Sequence, residues 1–199
     1  MFAESARLIE DVASNPLPVA TGMSKWFDYC DSVAPAHTEL WTQLRQLDFD
    51  SDQERLTNWL SELLTAEPPS EEINGLWFGL FNPCTDDGEA ICQTYIGGST
   101  DFDADSESDE WVCNLKYLPD GRYAESKVLP EIYRRVELLE EDNLFYLGEA
   151  FLCHGYLALV ISNWCHGPMR TQLLKSAPIR AVVMGHDSGD FYRMAVLKP

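Results

Sequence analysis

Apolar positions recur at helical spacing through the first third of the chain. Leu8, Ile9 and Val12 share one face before a break at Asn15, Pro16 and Pro18. Trp26, Phe27, Tyr29, Cys30 and Val33 form a second face that ends before Pro35, and Leu40, Trp41, Leu44 and Leu47 a short third one. Leu56, Trp59, Leu60, Leu63 and Leu64 make a fourth, stopped by Pro68 and Pro69, with capping-box spacing from Ser51 to Glu54 at its start. These faces predict a helical N-terminal part over residues 1–66.

Beyond the prolines the pattern shortens. The runs Leu76 to Phe81 and Ala90 to Ile96 are bounded by turn-forming residues and predict an antiparallel hairpin. The run Glu110 to Leu115 reads as a third strand, whereas Gly97, Gly98, Ser99 and Thr100 make poor strand. Pro119-Asp-Gly marks a turn, and Ser126 to Leu139 carries helical spacing through Leu129, Ile132, Tyr133 and Val136. The apolar stretch Leu144 to Trp164, interrupted by Glu149, His154, Ser162 and Asn163, suits a helix buried across one face of a sheet. Residues 180–197 repeat the hairpin pattern around His186-Asp-Ser-Gly-Asp190. The expected fold is α+β in a single domain, 1–199: the helical part, then a body over 73–199 with a mostly antiparallel sheet of about five strands and packed helices.

Charge changes the picture of what such a domain can meet. Against 33 Asp and Glu stand 14 Lys and Arg, a net charge of −19 on 199 residues. Part of the excess is concentrated in Asp101-Phe-Asp-Ala-Asp-Ser-Glu-Ser-Asp-Glu110. Such a surface repels phosphate backbones and anionic lipid and attracts cations or basic proteins, which argues against nucleic-acid and membrane partners. With 45% hydrophobic and 12% aromatic residues spread along the chain, the acid decorates a folded core. No apolar run reaches the roughly 18 residues of a membrane span, and the start has no signal-peptide pattern, so a cytoplasmic location is expected. Cys30, Cys84, Cys92, Cys113, Cys153 and Cys165 form no CxxC pair and read as six reduced, buried thiols.

Candidate chemistry is sparse. Asp101, Asp103 and Asp105 alternate like the first ligands of an EF-hand loop, but position six is Ser106 where Gly is needed and position twelve is Val112 where Glu is needed. His186 stands among Asp187, Ser188 and Asp190, yet neighbours on a tight turn are expected to splay apart, unlike a catalytic triad. Cys153-His154 and Cys165-His166 repeat a dipeptide whose two side chains diverge on a helix, so neither pair holds a metal alone. Glu149 lies in the apolar stretch and needs a partner, for which Arg122, Arg134 and Arg135 are candidates. Phosphate loops, HExxH and GxSxG are absent from the sequence, and no cofactor is implied.

The segment Trp111-Val-Cys-Asn-Leu-Lys-Tyr-Leu-Pro-Asp-Gly-Arg-Tyr-Ala-Glu-Ser-Lys-Val-Leu-Pro-Glu-Ile-Tyr133 resembles uncharacterised bacterial proteins grouped with immunity proteins of polymorphic toxin systems. The resemblance implies a small cytosolic α+β protein that binds and blocks a toxin without catalysis. The leading expectation is therefore an acidic interaction protein with a basic partner. Its contact residues would be Asp101, Asp103, Asp105, Glu107, Asp109, Glu110, Trp111 and Tyr117, with Tyr123 beside them. The alternatives are a carboxylate-based metal-dependent hydrolase using the acidic loop with His186, Asp187 and Asp190, a calcium-binding domain, and a homodimer burying exposed aromatics.

Overall fold

The computed structural model describes residues 2–137, 144–175, 177–189 and 191–199. The first helices, α1 (Phe2–Ser14), α2 (Val19–Val33), α3 (Thr38–Leu44) and α4 (Phe49–Ala66), match the four apolar faces. Helix α4 begins before the expected capping box. Its N-cap is Asp48, whose carboxylate accepts the Ser51 N–H at 3.1 Å, so Ser51 lies inside the first turn.

Five strands follow in the spatial order β3-β2-β1-β4-β5. Strand β1 (Gly75–Phe81) pairs antiparallel with β2 (Gln93–Ser99) and parallel with β4 (Arg180–His186), and β4 pairs antiparallel with β5 (Phe191–Leu197). Both predicted hairpins are present. Strand β2 runs through Gly97 and Gly98, which the sequence reading ended at Ile96. Small residues are needed there because Leu115, Ile73 and Tyr117 press against the backbone. The edge strand β3 is only Tyr123–Ala124. The expected third strand over Glu110 to Leu115 is instead a 3₁₀ turn, Glu110–Cys113. Trp111 and Val112 both pack on the same sheet face there, which the alternating side chains of a strand would not do.

Helix α5 (Val128–Ile132) continues as a π-helical turn, Tyr133–Glu137, and the rest of its predicted span, 138–139, lies outside the described residues. The apolar stretch forms α6 (Phe145–Leu147), a π-helical turn Gly148–Cys153, and α7 (His154–His166). From Tyr156 to Ile161 every residue of α7 is fully buried. This helix packs on the sheet, with the Phe78 and Trp164 rings 5.4 Å apart, and on α1 and α2. Its polar residues are used: Ser162 donates to the Val12 carbonyl and Asn163 to that of Leu17, fastening the end of α1. The short α8 (Arg170–Leu174) leads into β4.

One polar node binds this helical layer together. Asp52, in the first turn of α4, is buried. It accepts hydrogen bonds from the Ser126 hydroxyl (2.6 Å), the Lys127 N–H (2.7 Å) and the Tyr156 hydroxyl (2.7 Å). It thus joins α4 to the start of α5 and the body of α7. At the start of β4 Arg180 is fully buried and spends its guanidinium on the carbonyls of Ile73, Leu173 and Ser70. All six thiols are free, but Cys84 and Cys113 are exposed, contrary to the expectation that all are buried. Cys113 faces out because Trp111 and Val112 take the inward positions of its turn.

Asp52→Ala strands the buried Ser126 and Tyr156 hydroxyls and the part-buried Lys127 N–H and should lower unfolding free energy by about 3 kcal/mol in urea titration, with a smaller loss for Asp48→Ala. Burial pushes the Tyr117 and Tyr133 phenols from 10.0 up to about 12 and also raises Tyr156, whose Asp52 neighbour adds to the effect. The unfolded chain ionises first as pH rises, so this stabilisation is complete below pH 10 and lost on the way to about pH 12. The urea midpoint should fall across that window, in step with an upward-displaced tyrosinate absorbance titration.

Candidate functional site

The sheet has two apolar faces, and they are covered differently. Leu76, Phe78 and Leu80 of β1 and Val182 and Met184 of β4 join the large core under the helices. The alternate residues Trp77, Ala181 and Val183 form a second, smaller core whose cover is the acidic segment itself, through Phe102, Trp111 and Val112, with Leu115 packed beside them. The close approach requires a glycine: a Cβ on Gly75 would come within 2.6 Å of the Trp111 ring.

Electrostatics fasten this cover. Arg193 of β5 grips Asp109 through Nε (3.0 and 2.9 Å) and Nη2 (2.7 Å) and also reaches the Ser106 carbonyl. The Trp111 indole N–H donates to the same carboxylate at 3.0 Å, and the Arg193 guanidinium lies 5.6 Å from the centre of the Phe102 ring. Asn74 adds a two-way bond to the Phe102 backbone. Asp109 and Trp111, both expected in a partner-contact surface, are buried in this clamp.

The other acids of the segment face solvent. Asp101, Asp103, Asp105, Glu107 and Glu110 are exposed, and none of them has an ion-pair partner among the described residues. Asp103 accepts the Asp105 N–H at 3.0 Å, and Asp101 accepts from Thr100 and Asn114. The carboxylates thus close local turns. Among the described residues no three metal-ligating side chains converge. Tyr117 is half-buried and donates to the Glu67 carbonyl at 2.6 Å.

The acidic cover extends over only part of the outer face. Toward the far end lies an aromatic cluster, Phe81, Tyr95 and Tyr123, with ring centres 5.2 to 6.0 Å apart. Tyr123 is 51% exposed and Phe191, on the same face, 37%. Asp187 stands among them and accepts the Tyr95 hydroxyl at 2.7 Å, while Tyr95 accepts the Trp77 indole N–H at 2.9 Å. This exposed patch escaped the sequence reading because its residues come from four strands and the β4–β5 turn.

Behind the patch, on the helical side, His186 anchors that turn. Its Nδ1 accepts the Ser188 N–H (3.0 Å), which places the proton of the neutral ring on Nε2, near Asn82 Oδ1 (2.9 Å) and Glu149 Oε1 (3.1 Å). Asn82 also donates to Glu149 at 2.5 Å. The partner of Glu149 is therefore this histidine and amide. Arg134 and Arg135 instead pair with Glu131, and Arg122 stacks 4.6 Å over Tyr123. Burial raises the Glu149 carboxyl, but the bonds from His186 and Asn82 outweigh it and hold the group below 4.5. Glu137, which accepts the Glu149 N–H, is pushed up by burial.

Contrary to the expected splaying, Ser188 Oγ lies 2.7 Å from His186 Nδ1, giving a serine–histidine–glutamate chain. Its environment is that of a brace. The Ser188 and Gly189 N–H groups are both committed to His186, so neither is left to receive an oxyanion. Asp190 lies outside the described residues.

No family model, curated protein or solved structure matches this chain.

Removing the clamp cation tests the cover. Arg193→Met leaves the Asp109 carboxylate buried on the indole N–H alone and should cost about 2–3 kcal/mol by urea unfolding. Limited proteolysis should then cut within residues 100–110. Arg193→Met with Asp109→Leu should recover part of the loss, since no charge is left stranded.

Proposed function

We propose that this chain is a protein-binding module that docks a basic protein on the outer face of its sheet, as the acidic composition and the immunity-protein resemblance first suggested. The observation that carries this reading is an uncovered aromatic patch bordered by carboxylates without cationic partners. Phe81, Tyr95, Tyr123 and Phe191 supply rigid apolar area of the kind enriched in interface hot spots. Asp187 among the rings and the exposed acids of residues 101–110, toward the other end of the same face, supply charge of one sign, which accelerates encounter with an opposite charge.

The protein's own cations do little to offset that charge. Arg7, Lys25, Arg45, Arg55, Arg134, Arg135 and Arg193 are engaged in internal ion pairs and Arg180 is buried, while Arg122, on the Tyr123 ring, is the chain's own cation at the edge of the patch. The same charge disfavours a second copy of the chain, because a two-fold contact would set like charges against each other.

Binding of an arginine-rich basic peptide, followed by fluorescence anisotropy, tests the reading against single-stranded DNA and phosphatidylserine vesicles. The peptide should bind, more weakly as salt rises, while DNA and vesicles do not. Phe81→Ala with Tyr123→Ala should weaken the peptide at least about fivefold, and Asp101→Asn with Asp103→Asn and Asp105→Asn should flatten the salt dependence. Equal affinity of the aromatic variant and the parent would place binding elsewhere and overturn the proposal, as would dimerisation through this face in sedimentation.

A further inference from the structure

One row of the sheet register crosses all five strands on the outer face: Tyr123, Tyr95, Gly79, Gly185 and Phe191. The two central positions carry no side chain. The Tyr95 ring lies over Gly79, where a Cβ would come within 2.3 Å of it, so the row becomes a trough with aromatic walls, Tyr95 on one side and Phe191 on the other. The cavity between them is about 320 Å³ and is lined further by Trp77, Val112, Leu115, Asp187 and Gly189. That is at the small end of the roughly 300–1,000 Å³ of ligand pockets, a size for one side chain.

Among the described residues the cavity has one carboxylate, Asp187, and it is held in place. Trp77 donates to the Tyr95 hydroxyl and Tyr95 donates to Asp187 Oδ1, a relay that fixes the carboxylate with its second oxygen unbonded among the described residues. The His186 brace holds the turn that carries Asp187 from the other side. A fixed anion at the rim of an aromatic slot suits a planar cation whose faces lie on rings while its edge donates to oxygen.

Resting on the docking reading above, we infer that this cavity is a receptor for one arginine side chain of the basic partner, its guanidinium between Tyr95 and Phe191 and hydrogen-bonded to Asp187. Arginine fits better than lysine because the walls are flat and the carboxylate accepts at an edge, whereas an ammonium is a compact, strongly hydrated point charge. The turn and chain just after the acidic segment supply a wall of the cavity through Val112, Cys113 and Leu115.

Titration of the full chain with N-acetylarginine amide, followed by nitrogen–proton NMR, tests this. N-acetyl-citrulline amide serves as the neutral isostere and N-α-acetyl-lysine amide as the other cation. The Trp77 indole and the Gly189 amide signals should move saturably with the arginine compound, at least about tenfold more weakly with citrulline, and more weakly with lysine. Asp187→Asn should lose at least about tenfold of this affinity with an otherwise unchanged spectrum, and Asp103→Asn with Asp105→Asn should change it less than about twofold. Absence of saturable movement at Trp77 and Gly189, an equal response to lysine, or indifference to Asp187→Asn overturns the arginine receptor. If the basic peptide still binds through Phe81 and Tyr123, the docking face survives that failure; if it does not, both fall.

Discussion

The grip of Arg193 on Asp109 is the constraint on which the outer half of the molecule depends. A segment with six carboxylates in ten residues has no reason to lie on an apolar sheet face, since its charges repel one another and seek water. It lies there because one of those carboxylates turns inward, meets a guanidinium planted on β5 and receives an indole N–H from Trp111. Phe102, Trp111 and Val112 then contribute apolar burial, and the remaining acids are forced outward. The arrangement converts a charge run that would be a solvated loop into the second cover of the sheet.

The two faces of the sheet accordingly obey different physics. The helical side is closed by volume: α7 is apolar all round and disappears between the sheet and the first helices, and its few polar atoms are spent on carbonyls or on Asp52. The outer side is closed by a thin layer pinned at a few points, and it reaches Tyr95 but stops short of Phe81 and Tyr123. An incomplete cover leaves aromatic area at the surface next to unpaired charge. A partner of opposite sign can complete that layer, which is why the docking proposal and the arginine receptor both fall at its edge.

The His186 node shows how proximity alone misleads. Serine, histidine and glutamate meet at hydrogen-bond distance, yet the N–H groups that an acyl-transfer site would aim at substrate are turned back onto the histidine. Within the fold, the node fixes the β4–β5 turn against the π-helical turn that carries Glu149. It thereby sets the position of Asp187 on the opposite face.

The helices, the two hairpins and the buried span were legible in the sequence because periodicity and turn residues are local signals. So was the acidity of the surface, which composition alone determines. The boundary of α4 was not, since Asp48 and Ser51 offer competing caps and only the helix phase chooses between them. The strand predicted over Glu110 to Leu115 failed for a related reason: adjacent Trp111 and Val112 both turn inward to meet a sheet face that no local pattern reveals. Pairings such as Arg193 with Asp109, 84 residues apart, or Glu149 with His186, belong to tertiary structure, because any acid in so acidic a chain is an equal candidate until the backbone brings one of them within reach. The sequence by itself determined how much negative charge the folded surface must carry, because charge is a matter of composition. Only the folded sheet, by aligning two glycines between aromatic rings, decided where that surface has a cavity, because strand register is set by tertiary pairing.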